Sequence, residues 1–272
     1  MANRISLTCC LLLSLLVLPV ARGFAQEPDL SWRIADLART QGPSIILKDR
    51  GGVVLERLNT SQVVMIDAVY KGMCDVSEAC PRLLLIPGDQ PNALASPLGA
   101  GGTVMVNFGM TKLIGYDASQ WAAVLGHEIA HLKLDHVTER LKVSAPMELA
   151  EIILREATNN SAAILAGDIG RQLIETKFSR EQEHQCDYLG AIWAVEAGFE
   201  VEGAVRVQTN LLKRYGNRSS LPFLQSHPTS QERIKRLSEL AERLTPDRSL
   251  PGNQGEGDTA SGSQKFAAAA QQ

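Results

Sequence analysis

The chain has 272 residues, 44% of them apolar and 21% charged, with a formal net charge of −3 at pH 7. That is enough for one sizeable domain or two small ones, in the composition of an ordinary soluble protein. The mild acidity offers nothing for binding nucleic acid.

Residues 1–25 read as a cleaved secretory signal peptide. Arg4 precedes a short apolar run over 11–20. Ala21-Arg22-Gly23 and Gly23-Phe24-Ala25 each place small residues where a signal peptidase reads. The run is too short to span a bilayer comfortably. Cys9 and Cys10 come before it, which argues against a lipid-anchored cysteine. In an exported chain Cys74 and Cys80 are expected to close a short disulfide loop, with two buried thiols as the alternative.

Residues 26–43 form a polar lead-in with a short amphipathic piece over 32–37. Two β-like runs, 44–48 and 53–55, flank the turn-prone Asp49-Arg50-Gly51-Gly52 and suggest a hairpin. A helix follows over 61–73, with Val64, Ala68 and Tyr70 among its packing residues. Residues 82–86 give a buried-strand signal closed by Pro87-Gly88. With Asn92-Ala93-Leu94-Ala95 and the run 103–107 they make a small sheet just ahead of the next helix.

Asp117 and Gln120 form a D-x-x-Q capping pattern. The helix it starts begins near Ala118 and is expected to run past His136 to about Leu141. Trp121, Val124, Leu125 and Leu132 give it an apolar side. Residues 146–177 are helical in pattern, with too short an apolar span to cross a membrane, and suit a cover over a cleft. Ser179 and Gln182 cap a further helix that carries Glu183, Asp187, Leu189, Ile192 and Val195 and stops at Gly198. Another helix spans 201–215, and Pro228 is placed for the first turn of a last one over 229–244. Beyond Thr245 the composition is that of a disordered tail. The expected organisation is a signal peptide over 1–25, one domain over 26–245 and a tail over 246–272. The fold class is α+β, mainly helical with a small mixed sheet.

The chemistry concentrates in His127-Glu128-Ile129-Ala130-His131. Two histidines four apart stack a turn apart on one helix face, where two imidazoles can share one ion. Glu128, beside the first, can reach a water on that ion without binding the ion itself. Zinc accepts imidazole nitrogen and in catalytic sites keeps one position open. The pattern points to metal-activated hydrolysis with Glu128 as general base.

A third protein ligand is needed. His136 follows His131 on what reads as the same helix and does not swing back to the same ion. It is expected to be a partly buried or surface helix residue. Glu183 is the better choice. It lies four before Asp187, so both carboxylates share a face. Glu183 would bind the ion. Asp187 would accept the far N–H of a metal-bound histidine and fix its tautomer.

These stretches resemble the gluzincin endopeptidases of the HtpX and CAAX prenyl protease superfamily, in particular its soluble periplasmic, BepA-like branch. The likeness covers roughly residues 60–240. The family's second motif, S-R-x-x-E-x-x-A-D, matches Ser179-Arg180-Glu181-Gln182-Glu183-His184-Gln185-Cys186-Asp187. Its N-A-[FL]-A segment matches Asn92-Ala93-Leu94-Ala95, and its S-H-P-x-x-x-x-R-I matches the stretch from Ser226 and His227 through Arg233-Ile234. Cys186 replaces the usual alanine and reads as a buried, inert thiol. The transmembrane helices of some members are missing.

The resemblance implies a zincin-type fold and an exported, periplasmic zinc metalloendopeptidase with one Zn2+ per chain. His127, His131 and Glu183 would hold the metal, and Glu128 would be the general base. The implied substrates are misfolded or misassembled envelope polypeptides, with room for a partner at the membrane periphery or in outer-membrane assembly. A substrate is expected to extend along a sheet edge near 103–107. His227 has two competing roles: blocking the open metal position, or stabilising the oxyanion of the reaction. The alternative function is a periplasmic chaperone or assembly factor that uses the same cleft with weak or gated proteolysis.

Overall fold

The computed structural model describes residues 30–97, 100–144, 177–216 and 221–245. The expected signal peptide, the expected cover over 146–177 (Lys177 apart) and the tail from 246 lie outside the described residues.

The first elements are β1 (Trp32–Arg33) and α1 (Ile34–Leu37), then the hairpin of β2 (Ser44–Lys48) and β3 (Val54–Asn59). The second strand runs past the expected 53–55. Asp49 Oδ1 accepts from the Val53 N–H at 2.8 Å to close the turn. Asn59 then caps α2 (Thr60–Ser77) by accepting from the Ser61 N–H. This helix is longer than 61–73, and its buried face holds Val63, Ile66, Tyr70 and Met73. Val64 and Ala68 are only half-buried. Apolar residues occupy every position over 63–66, so periodicity alone does not locate the face. Glu78 in the left-handed conformation (φ 54°) ends the helix. The Cys74–Cys80 disulfide spans that end, with Cα atoms 4.7 Å apart.

β4 (Arg82–Ile86), β5 (Ala93–Ser96) and β6 (Thr103–Asn107) join β1 in a mixed sheet of order β1-β4-β6-β5. β4 and β6 are parallel, while β5 runs antiparallel to β6. All of β6 is buried between two neighbours, which corrects its expected place near a substrate edge. The edge on that side is β5. Pairing partners distant in sequence decide this, and the local pattern does not carry them.

Asn107 caps α3 (Phe108–Ile114), and Asp117 caps α4 (Ala118–Lys133) by accepting from the Gln120 N–H at 2.9 Å. The expected run past His136 does not occur. Leu134 caps α4, Asp135 adopts the left-handed conformation (φ 59°), and α5 (His136–Ser144) starts afresh. A non-glycine residue in that conformation is uncommon and gave no glycine signal to read.

α6 (Arg180–Glu196) opens with the full capping box of Ser179 and Gln182. α7 (Glu202–Tyr215), α8 (Pro222–Ser226) and α9 (Gln231–Leu244) follow. Pro228 stands outside α9, contrary to expectation, because the Ser230 side chain caps the helix by accepting from the Arg233 N–H. Trp121, Leu125 and Ile129 of α4 are fully buried, with Ile66, Met73, Leu85 and Met110 from α2, the sheet and α3. α4 is thus the central element, and its polar face is turned toward α6. Among the described residues no helix is long and apolar enough to cross a membrane.

Candidate active site

α4 and α6 approach closely because both contribute glycine where they meet. A Cβ on Gly126 would lie 3.0 Å from the Gly190 Cα, and one on Gly190 would lie 2.9 Å from the His127 nitrogen. The close packing brings His127 and His131 of α4 up against Glu183 of α6, all three buried. His227, just past α8, completes the cluster from a third direction.

The donor atoms are tightly grouped. His127 Nε2 lies 3.1 Å from His131 Nε2 and 3.2 Å from His227 Nδ1. Glu183 Oε1 lies 2.9 Å from His227 Nδ1 and 3.4 Å from His131 Nε2. Glu183 Oε2 lies 3.6 Å from His127 Nε2. A tetrahedral ion with ligands at about 2.0–2.1 Å separates its donor atoms by about 3.4 Å. The cluster therefore has the size and the imidazole–carboxylate chemistry to hold one metal ion. Glu128 is fully buried beside it, and neither carboxylate oxygen has a hydrogen-bond partner among the described residues. His227 Nε2 is 3.5 Å from its Oε1. A carboxylate is not buried in that state without a function or a partner yet to come.

The surroundings fix these groups. His127 Nδ1–H donates to Asp187 Oδ1 at 3.1 Å. Arg233 of α9, itself buried, grips both Asp187 oxygens at 2.7 Å and ion-pairs with Glu183. Burial works to raise the pKa of both acids. The Arg233 guanidinium overrides it, with the His227 and His127 rings at Glu183 and His127 at Asp187, and both acids are held below the usual carboxylate range. Burial lowers the pKa of His131. Burial also pushes the Cys186 thiol up, consistent with an inert residue. Phe178 stacks on His131 with centroids 3.7 Å apart, and Phe223 stacks on His227 at 4.9 Å.

His127, His131, Glu183 and His227 thus form one cluster, and Glu128, Asp187 and His136 each touch it. Three residues at the site had no role assigned from sequence. Arg233 was visible only as part of a motif, because its partners lie on another helix. Phe178 and Arg140, whose guanidinium stacks on Phe178 at 3.9 Å, carried no signal. His136 is buried and reaches His131, since the break at Asp135 turns it back toward α6. The segment leading into His227 is the helical turn α8.

Two crossing helices that bring two imidazoles and a carboxylate to one point beside a mixed sheet define a metallopeptidase domain of the zincin class. Within that class the chain belongs to peptidase family M48, whose model matches residues 67–241. It is 30% identical over 142 residues to the metalloprotease YcaL of Escherichia coli strain K12, covering 51% of this chain and 54% of that protein. It is 27% identical over 188 residues to the mitochondrial metalloendopeptidase OMA1 of Schizosaccharomyces pombe, covering 67% and 52%. To the metalloprotease LoiP of E. coli K12 it is 26% identical over 145 residues, covering 51% and 55%. The chain spans about half the length of these curated relatives.

Proposed function

We propose that this protein is an exported zinc metalloendopeptidase that cleaves misfolded or misassembled envelope polypeptides. The observation that carries the peptidase reading is the buried Glu128 carboxylate, with no hydrogen-bond partner among the described residues, beside a four-donor cluster. His127, His131 and Glu183 would hold the ion, and Asp187 would orient His127 through its Nδ1–H. A bound Zn2+ would polarise the scissile carbonyl and acidify the attacking water. Glu128 then takes the water's proton and returns one to the leaving amine. Neither of its oxygens is held in a hydrogen bond among the described residues, which leaves them available for that traffic.

Substrate would add to β5. The Asn107 N–H donates to the Asn92 carbonyl, so those two residues form a hydrogen-bonded pair. Pairs alternate along an antiparallel ladder, which turns the main-chain groups of Ala93 and Ala95 outward. Both residues are buried, so an extended peptide would pair with these groups only where that edge is uncovered. Export and an envelope substrate are supported by the signal-like residues 1–25 and by the Cys74–Cys80 bond, a bond suited to an oxidising compartment.

His227 favours a gated enzyme. Its Nδ1 stands at the fourth corner of the donor cluster, where it would occupy the position that water needs. That placement supports blocking over oxyanion stabilisation, and it keeps the chaperone-like reading open for the closed form. Zinc-loaded full-length protein incubated with unfolded casein tests the proposal. Cleavage that stops with a chelator and returns with zinc supports the peptidase. Suppressed aggregation with no cleavage, in wild type and in His227→Ala alike, supports the chaperone reading instead.

A further inference from the structure

We propose that His136 is a positioning residue for His131, held in one tautomer by Gln185 and in turn fixing the tautomer of His131. The inference rests on the reading of His131 as a metal ligand. His136 Nδ1 lies 3.3 Å from His131 Nδ1, and His136 Nε2 lies 3.1 Å from Gln185 Oε1. The rings meet edge to face, with centroids 5.4 Å apart. His131 and His136 are both buried, so neither ring exchanges these partners for water.

The polarity of this chain follows from the metal side. His131 can offer the Nε2 lone pair only if its proton sits on Nδ1. That N–H then needs an acceptor, and the atom facing it is His136 Nδ1. To accept there, His136 must be neutral and carry its proton on Nε2. The Nε2–H donates a hydrogen bond to Gln185 Oε1 and completes the chain. The reverse polarity would place the Nδ1 proton on His136 and the His131 proton on Nε2, removing His131 as a ligand. The Cys186 thiol, 3.4 Å from His136 Nδ1, is a weak donor competing for the same lone pair, and the imidazole N–H is the stronger.

The two histidines of the helix are therefore supported differently. His127 gives its Nδ1–H to the Asp187 carboxylate, and His131 gives its own to a neutral imidazole. The break at Asp135 is what makes this arrangement reachable. On one unbroken helix, residues five apart point to different faces. The left-handed turn restarts the chain and sets His136 behind His131, against Gln185 of α6.

Three variants of the full-length protein and one spectrum test this. His136→Phe fills the space without an acceptor, His136→Asn returns an acceptor oxygen near the Nδ1 position, and His131→Ala reports on the ligand itself. Zinc affinity is measured by chelator competition, and folding by circular dichroism. His136→Phe should weaken zinc binding by about 10–100-fold, the usual effect of losing such a partner, and His136→Asn should recover most of it. In zinc-loaded wild-type protein, 15N spectra of the imidazoles should show protons on His131 Nδ1 and His136 Nε2. Zinc affinity that survives His131→Ala removes the ligand reading itself. Zinc affinity that falls in His131→Ala but is unchanged in His136→Phe overturns the positioning role alone. The same holds if the His136 proton is found on Nδ1. The spectrum needs no variant, so a His136→Phe protein that fails to fold leaves the test intact.

Discussion

Gly190 of α6 lies so close to His127 of α4 that an added Cβ would stand 2.9 Å from the His127 backbone nitrogen. The obstacle is main chain, which cannot swing aside as a side-chain tip can. In a helix interior alanine is ordinarily favoured over glycine by about 1 kcal/mol. Here overpacking, typically about 1–3 kcal/mol, is expected to win. Gly190→Ala should lower the urea midpoint and, by spreading the two helices, weaken zinc binding. A raised midpoint with unchanged zinc affinity would show that the helices separate freely.

Asp117 links the start of α4 to α7. It accepts from the Gln120 N–H at 2.9 Å and receives the Arg206 fork at 2.9 and 3.0 Å. Burial opposes its ionisation, but Arg206 and Gln120 prevail and its pKa is lowered from 3.8. The sign follows: this stabilisation is fully present above the unfolded value of 3.8 and is lost as pH falls through the lower folded value. Asp117→Ala should cost about 0.5–2 kcal/mol at pH 7, the usual range for a lost cap. Denaturant melts from pH 7 to 2 should show the gap between wild type and variant closing below pH 4. A constant gap would mean that Asp117 acts through packing alone.

The parts legible in the sequence were those set by local chemistry. Asp117 and Ser179 announced the starts of α4 and α6, because caps need only side chains three residues apart. Arg82 to Ile86 read as a strand from its apolar run. What was hidden depended on partners far along the chain. β6 read as an edge strand because nothing local shows that β4 and β5 flank it. The helix break at Asp135 was invisible because the turn uses no glycine. At the site, the spacing of His127 and His131 and of Glu183 and Asp187 indicated which groups share a face. The Arg233 fork joins acids on another helix, and no spacing within its own segment points to them.

Arg233 neutralises two buried acids at once. Removing one side of a buried ion pair typically costs about 3–5 kcal/mol, since the remaining charge stays unpaired. Arg233→Met should therefore be the most destabilising of these variants in the metal-free protein. Arg233→Lys should fall between it and wild type, keeping the charge and losing the fork. The three urea midpoints, measured with chelator present, check this order. Equal midpoints for wild type and Arg233→Met would show that Glu183 and Asp187 need no counter-charge.

His227 should prove inhibitory. With its ring at the fourth corner of the cluster, His227→Ala is expected to raise casein cleavage at unchanged Zn2+ loading. A fall in kcat of about 10²-fold would reverse the assignment and give His227 the oxyanion role, for which losses of that size are usual.

Replacing Glu128 by Gln is the most direct test of the peptidase reading, because the change removes the base and leaves every proposed ligand in place. Metal content and casein cleavage are measured on the same preparation of Glu128→Gln and wild type. The expected result is one zinc per chain in both, with cleavage confined to wild type. Cleavage by Glu128→Gln at the wild-type rate would contradict the assignment of Glu128 as general base and, with it, the proposed mechanism.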